Sequence, residues 1–262
     1  MKRGPPRPVA EMTYRITFMN ETKYVKINKV RISRVKNDIK VVFFDLFFTL
    51  IAPKYSDYRN ENDVLKMSHL EWEKYAEDEE LYIKRATGKE KNPQKIIEDI
   101  IEKMNITVSE SMRKEILKLR EDRFKKSLID IDNIIHGVLL NIKKSNKKIC
   151  LVSNADIIDV MHWEKSPLNK IFDDKIFSYE VGHLKPQKEI YEIALQKMGV
   201  KPEECIFIGD GGSDELKGAK ELGMKTILSG HFLKRDKKQH DFIMKYADYY
   251  IDDFRQLINI LC

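Results

Sequence analysis

The chain has 262 residues, of which 42% are hydrophobic, 10% aromatic and 34% charged. This composition can fill a core, which excludes a disordered chain, and no apolar run approaches the roughly 20 residues of a membrane helix. The formal net charge of +6 comes from one end: residues 1–40 carry 11 basic and 3 acidic residues, whereas the remainder carries 37 and 39. The body of the chain is therefore nearly neutral, and we expect no membrane and no nucleic-acid partner.

Residues 1–39 are predicted to form a basic N-terminal extension. Its segments 13–19 and 23–33 alternate apolar and polar residues like two strands around a polar turn. The extension has no apolar region of a secretory signal. Three widely spaced cysteines cannot form a disulfide framework or a zinc knuckle, so a reducing cytoplasm is the expected location.

From residue 40 onward, apolar runs alternate with helical patterns. The segment 186–199 opens with a proline and closes on a glycine, and the segment 213–223 begins with a serine cap and also closes on a glycine. The apolar runs are typical of strands buried on both faces. They are IKVVFFDLF, KKICLVSN, CIFIGDGG, KTILSG and the weaker ADYYID. This alternation predicts an α/β fold with a doubly wound parallel sheet.

Residues 56–128 differ from the rest, because they hold long helical patterns and no convincing strand. The segment 92–104 has an asparagine cap, a proline at the first helical position and four isoleucines at helical spacing. The segment 109–128 also repeats apolar residues at helical spacing. We therefore predict an inserted helical domain over 56–128, between two parts of a sheet domain, 40–55 and 129–262.

Polar residues follow three of the predicted strands and begin one helix. Because ligands of open α/β sheets bind beyond the carboxyl ends of the strands, these residues are expected to share one site. Carboxylates there can hold a hard cation such as Mg²⁺, and an ammonium and a hydroxyl can hold a phosphoryl group. The candidates are Asp45, Thr49, Ser153, Asn154, Lys185, Asp210 and Asp214.

Four motifs in this order resemble those of the haloacid dehalogenase (HAD) superfamily, over roughly residues 40–255. They are DLFFTL from Asp45, LVSNAD around Ser153, HLKPQKEIYE around Lys185, and IGDGGSDE around Asp210. The helical stretch 56–128 falls where this superfamily inserts a helical cap, between the first and second motifs. The resemblance implies a Rossmann-like core, with the substrate closed between core and cap.

The resemblance also implies a role for each matched residue. Asp45 would be the nucleophile that forms a covalent aspartyl intermediate, oriented by Thr49. Ser153 and Lys185 would bind the transferring group, as would Asn154 beside them. The implied Mg²⁺ ligands are the side chains of Asp45 and Asp210 and the backbone carbonyl of Phe47, and Asp214 would support the metal directly or through water.

Phe47 departs from the pattern of most phosphatases in this superfamily. They have a second aspartate there, which protonates the leaving group, whereas dehalogenases lack it. Phe47 therefore favours a dehalogenase. The acidic motif around Asp210 favours a phosphatase instead, because it is of the metal-binding type. The prediction is a hydrolase, namely a Mg²⁺-dependent phosphatase acting on a small phosphate ester. Two alternatives are a metal-free 2-haloacid dehalogenase-like hydrolase and a catalytically weak binding protein.

Overall fold

The computed structural model describes residues 38–262. The predicted N-terminal extension, except for its last two residues, lies outside the described residues, as does the pair of strands expected within it. No helix among residues 38–262 combines the length and the apolar character needed to cross a bilayer.

Six parallel strands form one sheet in the order β3-β2-β1-β4-β5-β6. The strands are β1 Val41–Phe44, β2 Lys148–Ser153, β3 Asp174–Phe177, β4 Cys205–Gly209, β5 Lys225–Ser229 and β6 Tyr249–Ile251. β1 lies between β2 and β4, and Phe44 is paired with Leu151 on one side and with Ile208 on the other. All four residues of β1 are buried, which explains its continuous apolar sequence.

Helices pack against both faces of this sheet. The α-helices are α1 His69–Ala76, α2 Glu79–Ala86, α3 Pro93–Met104, α4 Glu110–Ile129, α5 Asn133–Lys144, α6 Ile157–Val160, α7 Ser178–Val181, α8 Lys188–Met198, α9 Glu215–Glu221, α10 Lys237–Ile243 and α11 Gln256–Leu261. Short 3-10 helices span Glu61–Leu65, Trp163–Lys165, Pro167–Lys170, Pro202–Glu204, Gly212–Asp214 and Met244–Tyr246.

Successive residues of β1 point to opposite faces of the sheet. Val42 and Phe44 join an apolar cluster that includes residues of α5 and α11. Val41 and Phe43 join a second cluster, which includes residues of α8 and α9. Two cores, one on each face, are the mark of a doubly wound α/β sheet, so the predicted fold class is confirmed.

The helices α1 to α4 follow β1 in the chain and share an apolar cluster of their own. Trp72 of α1, Ile97 of α3 and Ile116 of α4 are almost fully buried in it, together with Ile158 of α6. The predicted cap of α3 is present, since Asn92 accepts hydrogen bonds from its first turn, and Ser109 caps α4 in the same way. That residues 56–128 form a cap over the substrate stays a prediction.

Buried ion pairs join these helices to the segment after β2. Arg85 of α2 donates to Asp156 over 2.8 Å, and Arg120 of α4 donates to Asp156 over 3.3 Å and to Asp159 over 3.0 Å. Glu77 accepts from Arg85 as well, over 3.0 Å. Two guanidinium groups thus face three carboxylates, which leaves one negative charge in excess only when all three are ionised.

Three features of the sheet domain differ from the predicted elements. The helix expected over 186–199 begins at Lys188, after its N-cap Gln187, so Pro186 precedes the helix and does not open it. β3 was not predicted, because it is a four-residue strand at the sheet edge with only two fully buried residues. The helix expected over 213–223 begins two residues later, at Glu215. Ser213 does not cap it, since its backbone is left-handed, with φ 51°.

Candidate active site

The predicted site residues follow the carboxyl ends of adjacent strands. Asp45 comes directly after β1, and its backbone N–H donates to the carbonyl of Ile208 over 2.9 Å. Asp210 comes directly after β4, and Ser153 is the last residue of β2. Because the strands are parallel and in register, all three residues lie at one edge of the sheet.

Asp45 is buried, and its carboxylate accepts hydrogen bonds from a neutral hydroxyl and from a charged ammonium. Thr49 donates its hydroxyl to Oδ2 of Asp45 over 3.2 Å, which orients the carboxylate. The Nζ of Lys185 donates to Oδ1 over 2.5 Å. Less than a tenth of Asp45 is exposed, so these contacts form away from bulk water, where charge interactions are strong.

Lys185 joins the first motif to the helix that follows Asp210. Its Nζ bonds to Asp45 and also to Oε2 of Glu215, over 2.6 Å. Burial acts to lower the pKa of Lys185, but the carboxylates of Asp45 and Glu215 outweigh it, so the pKa lies above its usual value. Lys185 therefore stays a cation and can offset the negative charge of a phosphoryl group.

Glu215 is the first residue of α9, and its carboxylate lies inside the site. Oε1 accepts the backbone N–H of Gly211 over 3.0 Å. A Cβ at Gly209 would lie 1.9 Å from the same oxygen, so a larger residue there would displace the Glu215 carboxylate. Burial and the nearby Asp45 raise the pKa of Glu215 to about 8, with Lys185 opposing the shift. A negative charge on Glu215 is thus costly unless a further cation is present.

Asp210 is held at both carboxylate oxygens. The backbone N–H of Gly212 donates to Oδ1 over 3.0 Å, and Arg235 donates its Nη2 to Oδ2 over 2.6 Å. Burial raises the pKa of Asp210, and the nearby Asp45 carboxylate raises it further. The Arg235 guanidinium lowers the pKa but offsets these two effects only in part.

The structure brings Glu215, rather than Asp214, together with the two predicted aspartates. Ligand oxygens of Asp45, Asp210 and Glu215 lie within 4.8 Å of one another, whereas Asp214 is exposed. The reason is local: Ser213 and Asp214 both have left-handed backbones, with φ 51° and 50°. The loop therefore directs the next residue, Glu215, toward Asp45. This geometry does not bring Asp214 close enough to share an ion directly with the two aspartates, and its support of the metal through water stays a prediction.

Ser153 and Asn154 hold positions beside Lys185. Ser153 is fully buried, and its hydroxyl donates to the carbonyl of Asn154 over 3.3 Å. The amide of Asn154 accepts the backbone N–H of Lys185 over 2.7 Å and donates to the backbone carbonyl of Lys185 over 3.1 Å. In this structure Asn154 positions the chain at Lys185; its predicted contact with substrate stays a prediction.

Phe47 packs against the helix α4 and not toward a polar group. Its ring makes an edge-on contact with Phe124, with the ring centroids 5.7 Å apart. The following residue, Phe48, has φ 57°, which is rare for a bulky side chain and typical of strained functional loops. The side chain two residues after Asp45 therefore provides packing and no proton donor.

The donors gathered here suit a hard divalent cation. Three carboxylates supply only oxygen ligands, are buried, and lie close enough to share an ion. When all three carboxylates are ionised, the five charges including Lys185 and Arg235 sum to minus one, so an added cation favours the ionised form. Asp45, Asp210 and Glu215 would hold Mg²⁺; the predicted contribution of the Phe47 carbonyl stays a prediction.

Comparison with known proteins agrees with the motifs. The family model of the haloacid dehalogenase-like hydrolases matches residues 39–223, well over half of the chain. The chain belongs to this family. The family's match ends before Arg235, and it includes all the acidic residues of the site.

One curated relative of this HAD-like hydrolase is the glyceraldehyde 3-phosphate phosphatase of Methanocaldococcus jannaschii. The two are 34% identical over 128 residues, which is 47% of this chain and 53% of the relative. The chain thus spans about half the length of the curated relatives that it matches.

Two solved structures show the same fold at low identity. A HAD family enzyme from Bacteroides thetaiotaomicron, in complex with magnesium and inorganic phosphate, aligns with a TM-score of 0.57 at 23% identity, over 76% of this chain and 98% of that one. The L-2-haloacid dehalogenase of Xanthobacter autotrophicus aligns with a TM-score of 0.57 at 15% identity, over 84% and 97%.

Two residues of this HAD-like site were missed at the sequence level. Glu215 stands beside Asp214 in the fourth motif, so the sequence contained the signal, but spacing alone could not choose between adjacent acids. Arg235 lies 25 residues after its partner Asp210, in a loop with no motif. Nothing local in the sequence indicates that contact.

Proposed function

We propose that this HAD-like hydrolase is a Mg²⁺-dependent phosphatase that hydrolyses a small phosphorylated metabolite. The observation that carries the proposal is the group of three buried carboxylates, Asp45, Asp210 and Glu215, beside the Lys185 ammonium. A buried oxygen-only site with an excess of negative charge suits Mg²⁺. The phosphatase name of the curated relative and the magnesium and phosphate of the Bacteroides structure support the same conclusion.

The chemistry follows from the position of Asp45. One oxygen of its carboxylate attacks phosphorus, so an Asp45–phosphorus bond forms and the bond to the leaving oxygen breaks. Water then attacks the aspartyl phosphate, the bond to Asp45 breaks, and inorganic phosphate leaves. Lys185 offsets the charge that collects around the phosphoryl group. A bound Mg²⁺ would supply further charge neutralisation for the phosphoryl oxygens.

The helical segment 56–128 is proposed as the cap that selects the substrate. Phe124 of α4 contacts Phe47, so this segment lies against the loop that carries the nucleophile. The site carboxylates are all buried in the structure, which fits a closed form. A cap in this place would exclude water from the aspartyl intermediate until the leaving group departs. The three free cysteines fit the proposed cytoplasmic location.

One observation favours a second candidate, the metal-free dehalogenase. Phe47 offers no acid to a leaving group, and a departing halide needs none. In that reaction the same Asp45 oxygen would attack the carbon that bears the halogen, and water would later release the hydroxy acid. The two candidates share the nucleophile and differ in their need for metal.

A substrate screen with metal control separates the two candidates. The full chain, stripped with EDTA, is tested with an aryl phosphate, an alkyl phosphate and a 2-haloacid, each with and without Mg²⁺, and released phosphate or halide is measured. We expect phosphate release that requires Mg²⁺ and vanishes in Asp45→Asn. Asp122→Asn, which changes an exposed surface pair with Lys118, is the matched control. Halide release in EDTA, without phosphate release, would establish the dehalogenase instead.

A further inference from the structure

Arg235 enters the site from a part of the chain that no motif covers. It lies in the loop between β5 and α10, beyond the residues that the family model matches. Its Nη2 donates to Oδ2 of Asp210 over 2.6 Å, and its Nε donates to the backbone carbonyl of the same residue over 3.1 Å. Because Arg235 makes two hydrogen bonds to one residue, its orientation is fixed more firmly than in a solvent-exposed ion pair with a single contact.

The charges of the site explain what Arg235 does there. Lys185 lies between Asp45 and Glu215 and bonds to both. Asp210 has no bond to Lys185 among the described contacts, and Arg235 is the cation paired with it. Arg235 thus completes the partial neutralisation of three carboxylates that would otherwise repel one another in a buried site.

The same carboxylate is a proposed ligand of Mg²⁺. A guanidinium and a divalent cation on one carboxylate repel each other strongly, because the site excludes water. Of the two cations, Arg235 is the one that can yield. Its side chain is 19% exposed, whereas that of Lys185 is 2% exposed and bonded on both sides.

We propose that Arg235 is an internal counter-ion that competes with the divalent cation for Asp210. The inference rests on the proposed metal site. Arg235 stabilises the metal-free protein and weakens the binding of Mg²⁺. To bind, the ion must either displace the guanidinium of Arg235 from Oδ2 of Asp210 or bind despite the repulsion between the two cations. The affinity of the site for metal is then set by a residue outside the four motifs.

Metal binding to the stripped full chain tests this directly. Mg²⁺ binding is measured by titration calorimetry, and unfolding temperature is measured with and without Mg²⁺. We expect Arg235→Gln to bind Mg²⁺ at least about tenfold tighter, because a neighbouring positive charge is removed. We also expect a lower unfolding temperature without metal and a larger rise on adding it. Arg235→Lys keeps the charge and is expected to bind Mg²⁺ nearly as the native chain does.

Arg255→Gln is the matched control, because Arg255 pairs with Asp253 on the surface and its loss removes the same charge. Weaker Mg²⁺ binding by Arg235→Gln would overturn the proposal and make Arg235 a residue that positions Asp210 for the metal. Unchanged binding would also overturn it. Native protein that binds no Mg²⁺ would refute the proposed metal site and this inference with it. Native protein that binds Mg²⁺, with Arg235→Gln no tighter, would refute the inference alone.

Discussion

The side-chain amide of Asn154 bonds to both main-chain polar groups of Lys185. Its Oδ1 accepts the Lys185 N–H over 2.7 Å and its Nδ2 donates to the Lys185 carbonyl over 3.1 Å. The second motif thereby fixes the backbone from which the third motif extends its ammonium to Asp45. A displacement of about 1 Å in such a group is enough to lower a rate by on the order of 10²-fold.

Asn154→Ala is therefore expected to lower kcat by about 10–100-fold with little change in KM. The stability loss should be about 1–3 kcal/mol, the usual cost of two lost hydrogen bonds. Steady-state kinetics with a phosphate ester and urea unfolding measure both. Asn169→Ala, which removes a surface contact with Glu164, is the control. A rise in KM at constant kcat would show instead that Asn154 contacts the substrate.

Glu215 and Asp214 form a natural pair for deciding which acid supports the metal. Glu215→Gln keeps the size of the side chain but removes a charge from the three carboxylates, so phosphate release should fall by about 10²-fold and need more Mg²⁺. Asp214→Asn should stay within about twofold of the native rate, because an exposed side chain contributes little to a buried site. Rates are measured over a range of Mg²⁺ concentrations. If Asp214→Asn is the more damaging change, the loop geometry described here does not apply to the working enzyme.

Phe47 provides no proton for the leaving group. The native enzyme should therefore hydrolyse aryl phosphates much faster than alkyl phosphates, since general acid catalysis is worth about 10²–10⁴-fold. Phe47→Asp should narrow this gap by speeding alkyl phosphate hydrolysis. The measurement is the rate against the pKa of the leaving group.

Phe47→Ala is the matched control for this comparison. It also loses the contact with Phe124, and the associated stability of about 1–3 kcal/mol, but gains no acid. A rate that does not vary with leaving-group pKa in the native enzyme would show that another group already donates the proton.

The buried ion pairs that Arg85 and Arg120 form with Asp156 and Asp159 should make the stability of the protein depend on pH. Burial and the Asp156 carboxylate raise the pKa of Asp159 to about 7, despite the guanidinium groups of Arg120 and Arg85. Between its unfolded pKa of 3.8 and about 7, Asp159 holds a proton in the folded chain that the unfolded chain has released. Protonation of Asp159 therefore contributes fully to the free energy of unfolding below pH 3.8, and this contribution is lost as the pH rises toward 7.

Asp159→Asn should remove this part of the pH dependence, which amounts to about 2–3 kcal/mol between pH 5 and pH 7.5. Urea unfolding of the native chain and the variant at pH 5 and pH 7.5 gives the difference. Asp122→Asn changes an exposed carboxylate and should follow the native curve. Parallel curves for native chain and Asp159→Asn would mean that Asp159 is ionised throughout this range.

The sequence by itself determined five of the six strands, all but β3, and the edge at which the site lies. Runs such as Val41–Phe44 are apolar because both faces of the sheet are covered, and parallel strands end at the same edge. The predicted positions of Asp45, Ser153 and Asp210 follow from that rule. The Asn92 cap was also predictable from its neighbours in the chain, whereas the predicted Ser213 cap is absent because its backbone is left-handed.

Only the tertiary structure decided which of two adjacent acids enters the site and which distant cation joins it. Asp214 and Glu215 are adjacent acids that the sequence does not distinguish. The left-handed backbones of Ser213 and Asp214 leave Asp214 exposed and place Glu215 inside the site. Arg235 meets Asp210 across 25 residues because of how the loop after β5 folds back. Such contacts depend on backbone conformation and packing between distant segments, which no local pattern of residues encodes.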